Sequence, residues 1–541
     1  MESLNDFLVS ISGEIDDFMY TYILVILLVF AGIYFTIRTK FVQIRYIKDM
    51  FTALAGKSAA ADKEFNDIGE DIVKHADKEK IEQTQENNAA YAGDPSKKRK
   101  ISSFQALMVS TASRVGTGNI VGIATAIAMG GPGAVFWMWL MAVVGAASAF
   151  VESTLAQIWK VRNPDGSFRG GPAYYIQQAL GKRWLGVVFA VALILCFGLG
   201  FNGLQTFNMT SAIDYYVIEG HQQVVNALIG LLVIIATALV IFGGTQRISF
   251  ITSVIVPVMA GAYILVCIGT CVFNASAIPE AVSLVFSKAF SIESFAGGFT
   301  GSALMWGIKR GLFSNEAGMG SAPNAAATAD VSHPCKQGLV QTLSVYIDTL
   351  LICTASAFMV LIFFVQDPDA AAMYNGMQLV QMAMNNSIGP IGIHFITACI
   401  ILFAYSSLVG NYFYAEGNLL FIKNNKTALF VFRVFCLVAI FLGAINSFDL
   451  AWNMSDIFMG FMAIINLIAI LLLGKWALKC LDDYTAQRKA GVNPVFVASS
   501  IEGLPPTECW HCAQEVVHKI SPEQCAAQVS TAGDASKPSA E

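Results

Sequence analysis

Residues 116–133 read GTGNIVGIATAIAMGGPG, an apolar run in which six of eighteen positions are glycine. Glycine is the poorest helix former after proline, yet a backbone in lipid must satisfy its hydrogen bonds internally. The lipid setting follows from composition. The 541 residues are 55% hydrophobic and only 13% charged, with a mean hydropathy of +0.59, whereas a soluble domain carries about 25% charged residues. No alternating strand pattern repeats, and the apolar runs reach the roughly 20 residues that a spanning helix needs, so the spans are helices rather than barrel strands.

Outward from this run, hydropathy predicts eleven spans, near 20–37, 104–129, 133–157, 184–214, 223–243, 248–273, 294–313, 338–365, 391–421, 428–445 and 454–474. The acidic leader MESLNDFLVSISGEIDDFM has neither the basic start nor the small-residue cleavage site of a signal peptide, so the first helix is expected to be retained. Placing residues 1–19 outside puts all but two of the 33 Lys and Arg on the cytoplasmic side, the exceptions being Lys288 and Arg114. The short loops agree, through Lys160, Arg162, Lys182, Arg183, Arg247, Lys309, Arg310, Lys423 and Lys426. The expected topology is N-terminus outside, C-terminus inside.

Residues 57–100 are too polar to build a core and end in SKKRK, which reads first as a topology-fixing basic flank and second as a contact for anionic lipid. The tail spaces Cys509, Cys512, His518 and Cys525 as C-x2-C-x5-H-x6-C, a weak zinc signal in a stretch rich in Ala, Ser and Pro. Catalytic motifs are missing: the six histidines form no H-E-x-x-H pair, and there is no G-x-S-x-G or phosphate-binding G-x-x-x-x-G-K-[ST]. An enzyme is not expected, nor an organic cofactor, nor a nucleic-acid partner.

What the spans contain is interruption. The second has a small, polar, glycine-rich centre at 113–119, and the seventh has Gly297, Gly298, Gly301 and Ser302 at its heart. Gly118 and Gly122 also fit a helix-packing motif. A matched pair of interruptions in two halves points instead to a transporter site. Setting the first helix aside leaves ten, with breaks in helices 1 and 6, a five-plus-five inverted repeat. A broken helix frees amides that suit a carboxylate and carbonyls that suit a small cation. Ser406 and Ser407 in the ninth span add hydroxyls, and Asn202, Gln205 and Asn208 in the fourth add amides. Arg114, Glu152, Asp348 and Glu416 lie within spans, where charge is costly, and they are expected to form a gating or structural ion pair.

The stretches RVGTGNIVGIATAIAMGGPGAVFWMW, GGPAYYI at 171–177 and RGLFSNEAGMGSAPNAAATAD at 310–330 resemble the alanine or glycine:cation symporter family, and the resemblance covers 102–475. It implies an all-α integral membrane protein with a LeuT-type fold and an additional N-terminal helix, residing in the bacterial inner membrane. It implies sodium-driven uptake of small neutral amino acids, alanine and glycine foremost and D-alanine as a further candidate. Laid onto this chain, Gly116, Thr117, Gly118 and Asn119 meet the substrate carboxylate, and Gln205 lines the cavity. Thr300, Gly301 and Ser302 receive the amino group or line the side-chain pocket, with Trp306 nearby. Sodium sits at Ala112, Val115 and Phe403 carbonyls with the Ser406 and Ser407 hydroxyls. The fixed charge of Arg114 disfavours a second sodium. In 314–330, Gly318, Gly320 and Pro323 suggest a tight turn at an inner gate. The expected units are 1–50 (N-terminal helix and basic flank), 51–101 (charged loop), 102–292 and 293–475 (the two repeats) and 476–541 (a largely disordered tail). The functional unit is taken as a monomer. Rival readings are a symporter for glutamine or serine, a proton-coupled carrier, and a channel.

Overall fold

The computed structural model describes residues 2–54, 101–163, 167–218, 220–243, 245–290 and 302–511. The 57–100 segment, Thr300, Gly301, Cys512, His518 and Cys525 therefore lie outside the described residues.

Among the described residues nine helices are long and apolar enough to cross a membrane. They are α1 (Phe7–Arg38), α4 (Ala134–Ile158), α5 (Arg183–Tyr216), α6 (Gln222–Ile241), α7 (Phe250–Phe273), α9 (Pro334–Gln366), α11 (Pro390–Ile422), α12 (Lys426–Ala444) and α13 (Phe448–Lys489). Four of the shorter helices bear on the site: α2 (Ser103–Arg114), α3 (Val121–Gly130), α8 (Ala303–Asn315) and α10 (Gly376–Ile388). A two-residue antiparallel pair, Val161–Arg162 with Phe168–Arg169, is the one sheet among the described residues. The protein is thus a mostly helical, multi-pass membrane protein.

Lipid offers no hydrophobic drive for helices to associate, so small residues that allow close approach hold the bundle together. Gly32 of α1 abuts Val144 of α4, and Gly474 of α13 abuts Phe35 of α1. Helix α6 turns Leu228, Leu232, Ile235 and Leu239 outward, as a lipid-facing helix must.

Three expectations are corrected. The acidic leader is helical and continuous with the first span. Its Asp16 is buried and bonded to Lys309, which also lies 2.9 Å from Asp456. Lys309 and Arg310 are therefore not loop charges: both are buried inside α8, where the low polarity around them demands carboxylate partners. The tail beyond 475 also begins ordered. Helix α13 has 42 residues, roughly 63 Å at 1.5 Å each, about twice the hydrocarbon core. Its extension defines the tail end of the bundle, and residues 490–511 fold back onto it, burying Phe496, Cys509 and Trp510. Trp510 donates its indole N–H to the Gln157 carbonyl at 2.9 Å.

Candidate substrate and ion site

The helix holding the glycine run stops where the sequence loosens it. Helix α2 ends at Arg114, Val115 leaves helical geometry (φ −77°, ψ 79°), and Gly116 is extended. One 3-10 turn, Thr117–Asn119, follows before α3 begins at Val121. Every residue from 112 to 124 is buried, so each freed backbone group needs a partner.

Side chains supply most of them. The Gly116 amide donates to Asn119 Oδ1 at 3.1 Å, and the Thr117 amide to Gln205 Oε1 at 3.1 Å. Asn208 donates to the Thr117 hydroxyl at 2.7 Å. Among the described residues the Gly118 amide meets no acceptor. The Val121, Gly122 and Ile123 amides show none there either, so together these are the free donors at the N-terminal end of α3, where the helix dipole favours negative charge.

The glycines permit contacts that a methyl would forbid. A Cβ on Gly116 would overlap the Ser407 hydroxyl and stand 3.0 Å from Gln205 Nε2. A Cβ on Gly118 would enter the Phe313 ring. Phe313 in turn packs against Phe201 and Trp452, with ring centroids 4.7 and 5.4 Å away.

Helices α3 and α8 run antiparallel, which places the other aromatic residue differently from expectation. Gly130 faces Trp306, Gly122 faces Arg310, and Gly118 faces Phe313. Trp306 therefore sits at the far end of α3, about 15 Å along the axis from the break, and the ring over the break is Phe313. Ser302 accepts the Met305 amide at 3.1 Å as the N-cap of α8. Asn119 also departs from its expected part. Its side-chain amide donates to Asp348 Oδ1 at 2.6 Å and to Ser314 at 2.9 Å, while its oxygen holds Gly116. With its bonding capacity used, it braces the break rather than facing a ligand.

Of the expected ion ligands, Ser407 reaches across to the end of α2. Ser407 of α11 donates to the Ala112 carbonyl at 3.0 Å and lies 3.3 Å from that of Ser113. Ser406 donates to the Phe403 carbonyl at 2.9 Å. These are neutral oxygens, the donor type that a hard monovalent cation takes. The helices meet backbone to backbone here: a Cβ on Gly410 would stand 2.7 Å from the Ser113 nitrogen.

The charged residues pair otherwise than expected. The partner of Arg114 is Glu316, 3.8 Å away, and not Glu152, Asp348 or Glu416. All three guanidinium nitrogens of Arg114 are buried without a hydrogen bond. Asp348 is engaged by Asn119, Ser314 and Thr349, and Glu416 lies 3.8 Å from Arg433. Glu152 accepts the Gly318 and Gly320 amides, both at 3.1 Å, and the Asn466 amide at 2.8 Å. Both glycines have positive φ (+84° and +87°), so the turn presents two amides to one carboxylate as an anion-binding nest.

Glu316 went unnoticed in the sequence, although it is the single carboxylate between 303 and 329. It caps α8 in left-handed geometry and accepts hydrogen bonds from Ser113 at 3.0 Å and Ser321 at 2.7 Å.

A cavity of about 700 Å³ opens opposite the tail end, lined by Phe207, Asn208, Asp214, Tyr374, Gln381 and Phe448 among others. Asn208 belongs both to this cavity and to the break, so the cavity reaches Thr117 through one side chain.

The sequence matches the sodium:alanine symporter family over residues 5–69 and 78–498. The amino-acid carrier protein AlsT of Bacillus subtilis is 44% identical over 94% of this chain and 98% of its own. The probable sodium/glutamine symporter GlnT of the same organism is 42% identical, covering 92% and 95%. Among solved structures, MhsT in complex with L-phenylalanine aligns with a TM-score of 0.50 at 17% identity, over 71% of this chain and 96% of that one. At that identity the likeness is one of fold, the LeuT type.

Proposed function

The chain belongs to the sodium:alanine symporter family, and on that premise we propose how its residues carry a small neutral amino acid and sodium across the membrane together. It is a secondary transporter of amino acids. The observation that carries the mechanism is the break at 115–120, where buried amides at the start of α3 meet no acceptor among the described residues, beside neutral oxygens at the end of α2.

The substrate carboxylate meets the Gly118 amide, with the Thr117 hydroxyl and Gln205 beside it. Sodium takes the Ala112, Val115 and Phe403 carbonyls with Ser406 and Ser407, whose lone pairs turn to the ion as their present hydrogen bonds open. Ser302, four residues before Trp306 on α8, lies farther from the break than Trp306 does, so neither is placed in this pocket. Nine long helices and the two interrupted ones make eleven spans. The first repeat is 102–292 and the second 293–475, preceded by the 1–50 helix and the 51–101 loop and followed by the 476–541 tail. With the N-terminus outside the bacterial inner membrane, the 700 Å³ cavity is the outer approach and the tail end faces the cytoplasm.

Binding is coupled through shared atoms. Sodium orders the end of α2, and α2 holds the turn that receives the carboxylate. By linkage the amino acid must tighten sodium by the same factor. Phe313 lies against Gly118 and limits the room beside the carboxylate, which favours alanine and glycine over glutamine, although one methylene discriminates by only about 1–3 kcal/mol. The test is labelled alanine uptake into proteoliposomes under imposed sodium or proton gradients. Accumulation driven by sodium and competed by glycine, serine and D-alanine more strongly than by glutamine is the expected result. Accumulation driven by protons alone overturns the ion assignment, and conductance without saturable uptake would favour a channel.

A further inference from the structure

At the tail end, away from the transport path, soft ligands from distant parts of the chain converge. His333 is the N-cap of α9, Cys335 lies in its first turn, and Cys480 lies on the extension of α13. One ring nitrogen and the two sulfurs all lie within 4.8 Å of one another, and all three residues are fully buried. This is a different set from the Cys509, Cys512 and Cys525 of the tail. Cys335 and Cys480 are 145 positions apart, so no local spacing announces them.

The geometry is informative. The two sulfurs are 3.7 Å apart. Two thiolates on a tetrahedral zinc, each about 2.3 Å from it, stand about 3.8 Å apart. A disulfide needs about 2.05 Å. The imidazole has the support that metal-bound histidines require. His333 Nε2 lies 3.1 Å from Asp483 Oδ2, the carboxylate–histidine pairing that fixes the tautomer and leaves Nδ1 with its lone pair. Nδ1 faces the first turn of α9 and accepts the Cys335 amide at 3.2 Å, a bond that a metal on Nδ1 would replace. Tyr484 and Phe496 hold the ring, with centroids 5.1 and 5.4 Å away.

We propose that His333, Cys335 and Cys480 bind one zinc ion, with a water in the fourth tetrahedral position and Asp483 orienting the histidine from behind. Two soft sulfurs and an imidazole select zinc over sodium, magnesium or calcium, which prefer oxygen. Charge also balances. Binding releases one proton from each thiol, and the two thiolates neutralise the dication, so the buried site carries no net charge. The ion ties the start of α9 to the extension of α13, beside the returning strand whose Phe496 amide donates to the Ser332 carbonyl at 2.9 Å. Its role is structural: it fastens the fold-back of 490–511 to the bundle.

The test uses the full chain, purified with reductant and without chelator, stripped of metal and titrated with cobalt(II) and then zinc. One cobalt per chain is expected, with a thiolate-to-cobalt charge-transfer band and tetrahedral d–d bands that zinc abolishes. Cys480→Ser and Cys335→Ser are expected to weaken zinc binding at least a hundredfold, while Cys509→Ser leaves it within twofold. The wild-type spectrum decides the matter even if a variant fails to fold. A wild-type chain that gives no thiolate–cobalt band overturns the proposal. So does a band that survives Cys480→Ser and disappears in Cys509→Ser, or a Cys335–Cys480 disulfide found by mass spectrometry in the reductant-treated protein.

Discussion

Two buried arginines, Arg114 at the end of α2 and Arg310 within α8, are held in very different ways. Arg310 donates to Asp456 at 2.7 and 3.3 Å and lies over the Trp452 ring at 4.2 Å. Its neighbour Lys309 takes the same aspartate and Asp16. Arg114 lies 3.8 Å from Glu316 and makes no hydrogen bond with any of its three nitrogens. A buried guanidinium held by two hydrogen bonds to one carboxylate is a fixture even with its Nε unpaired, because removing either side leaves an uncompensated ion. A buried guanidinium with unused donors can gain from rearrangement. The first cluster joins α1, α8 and α13 permanently; the second, where α2 meets the turn after α8, is where the bundle has bonds still to make.

That contrast can be broken by experiment. The largest effect is expected from Asp456→Ala, which strands Arg310 in the bundle and leaves Lys309 with Asp16 alone, at a cost of about 3–5 kcal/mol. Thermal unfolding in detergent measures it, and a variant as stable as the parent would remove the clamp from the comparison. Next comes Glu316→Gln, which removes the carboxylate facing Arg114 and weakens the hydrogen bonds from Ser113 and Ser321. A loss of about 2 kcal/mol is expected in the same unfolding measurement, and an unchanged midpoint would show that this pair adds nothing to the bundle.

Ser407→Ala removes a hydroxyl from the proposed sodium seat and should weaken apparent sodium affinity in alanine uptake about tenfold, close to 1.4 kcal/mol. Unchanged sodium dependence would move the ion elsewhere. Arg114→Gln should cost least in stability, about 1 kcal/mol or less, since no hydrogen bond to the guanidinium is lost. Uptake should nonetheless fall more than tenfold. A loss of stability equal to that of Asp456→Ala would make the two arginines alike after all.

The break itself was legible because its cause is local: glycines and small polar residues in an apolar run loosen a helix wherever it packs. Gln205 and Ser407 were legible as polar groups on spans that must bury them. Trp306 and Phe313 could not be told apart, because which aromatic reaches Gly118 depends on where α8 starts at Ser302 and on its antiparallel register with α3. Asp16 was invisible for another reason. An acid in a polar leader gives no sign that the leader is helical and reaches Lys309. The pairing of Glu152 with the Gly318 and Gly320 amides also rests on left-handed turn geometry across 166 and 168 positions, although the turn glycines themselves were plain.

Gly410, whose missing side chain lets α11 lie on the backbone of Ser113, sets a gauge. The carbonyl of Ala112 and the hydroxyl of Ser407 belong to different helices, and their separation is fixed by how nearly those helices touch. A methyl at position 410 would act as a shim, spreading the oxygens without altering one of them. The preference for sodium over the larger potassium would then be decided by a residue that never meets either ion.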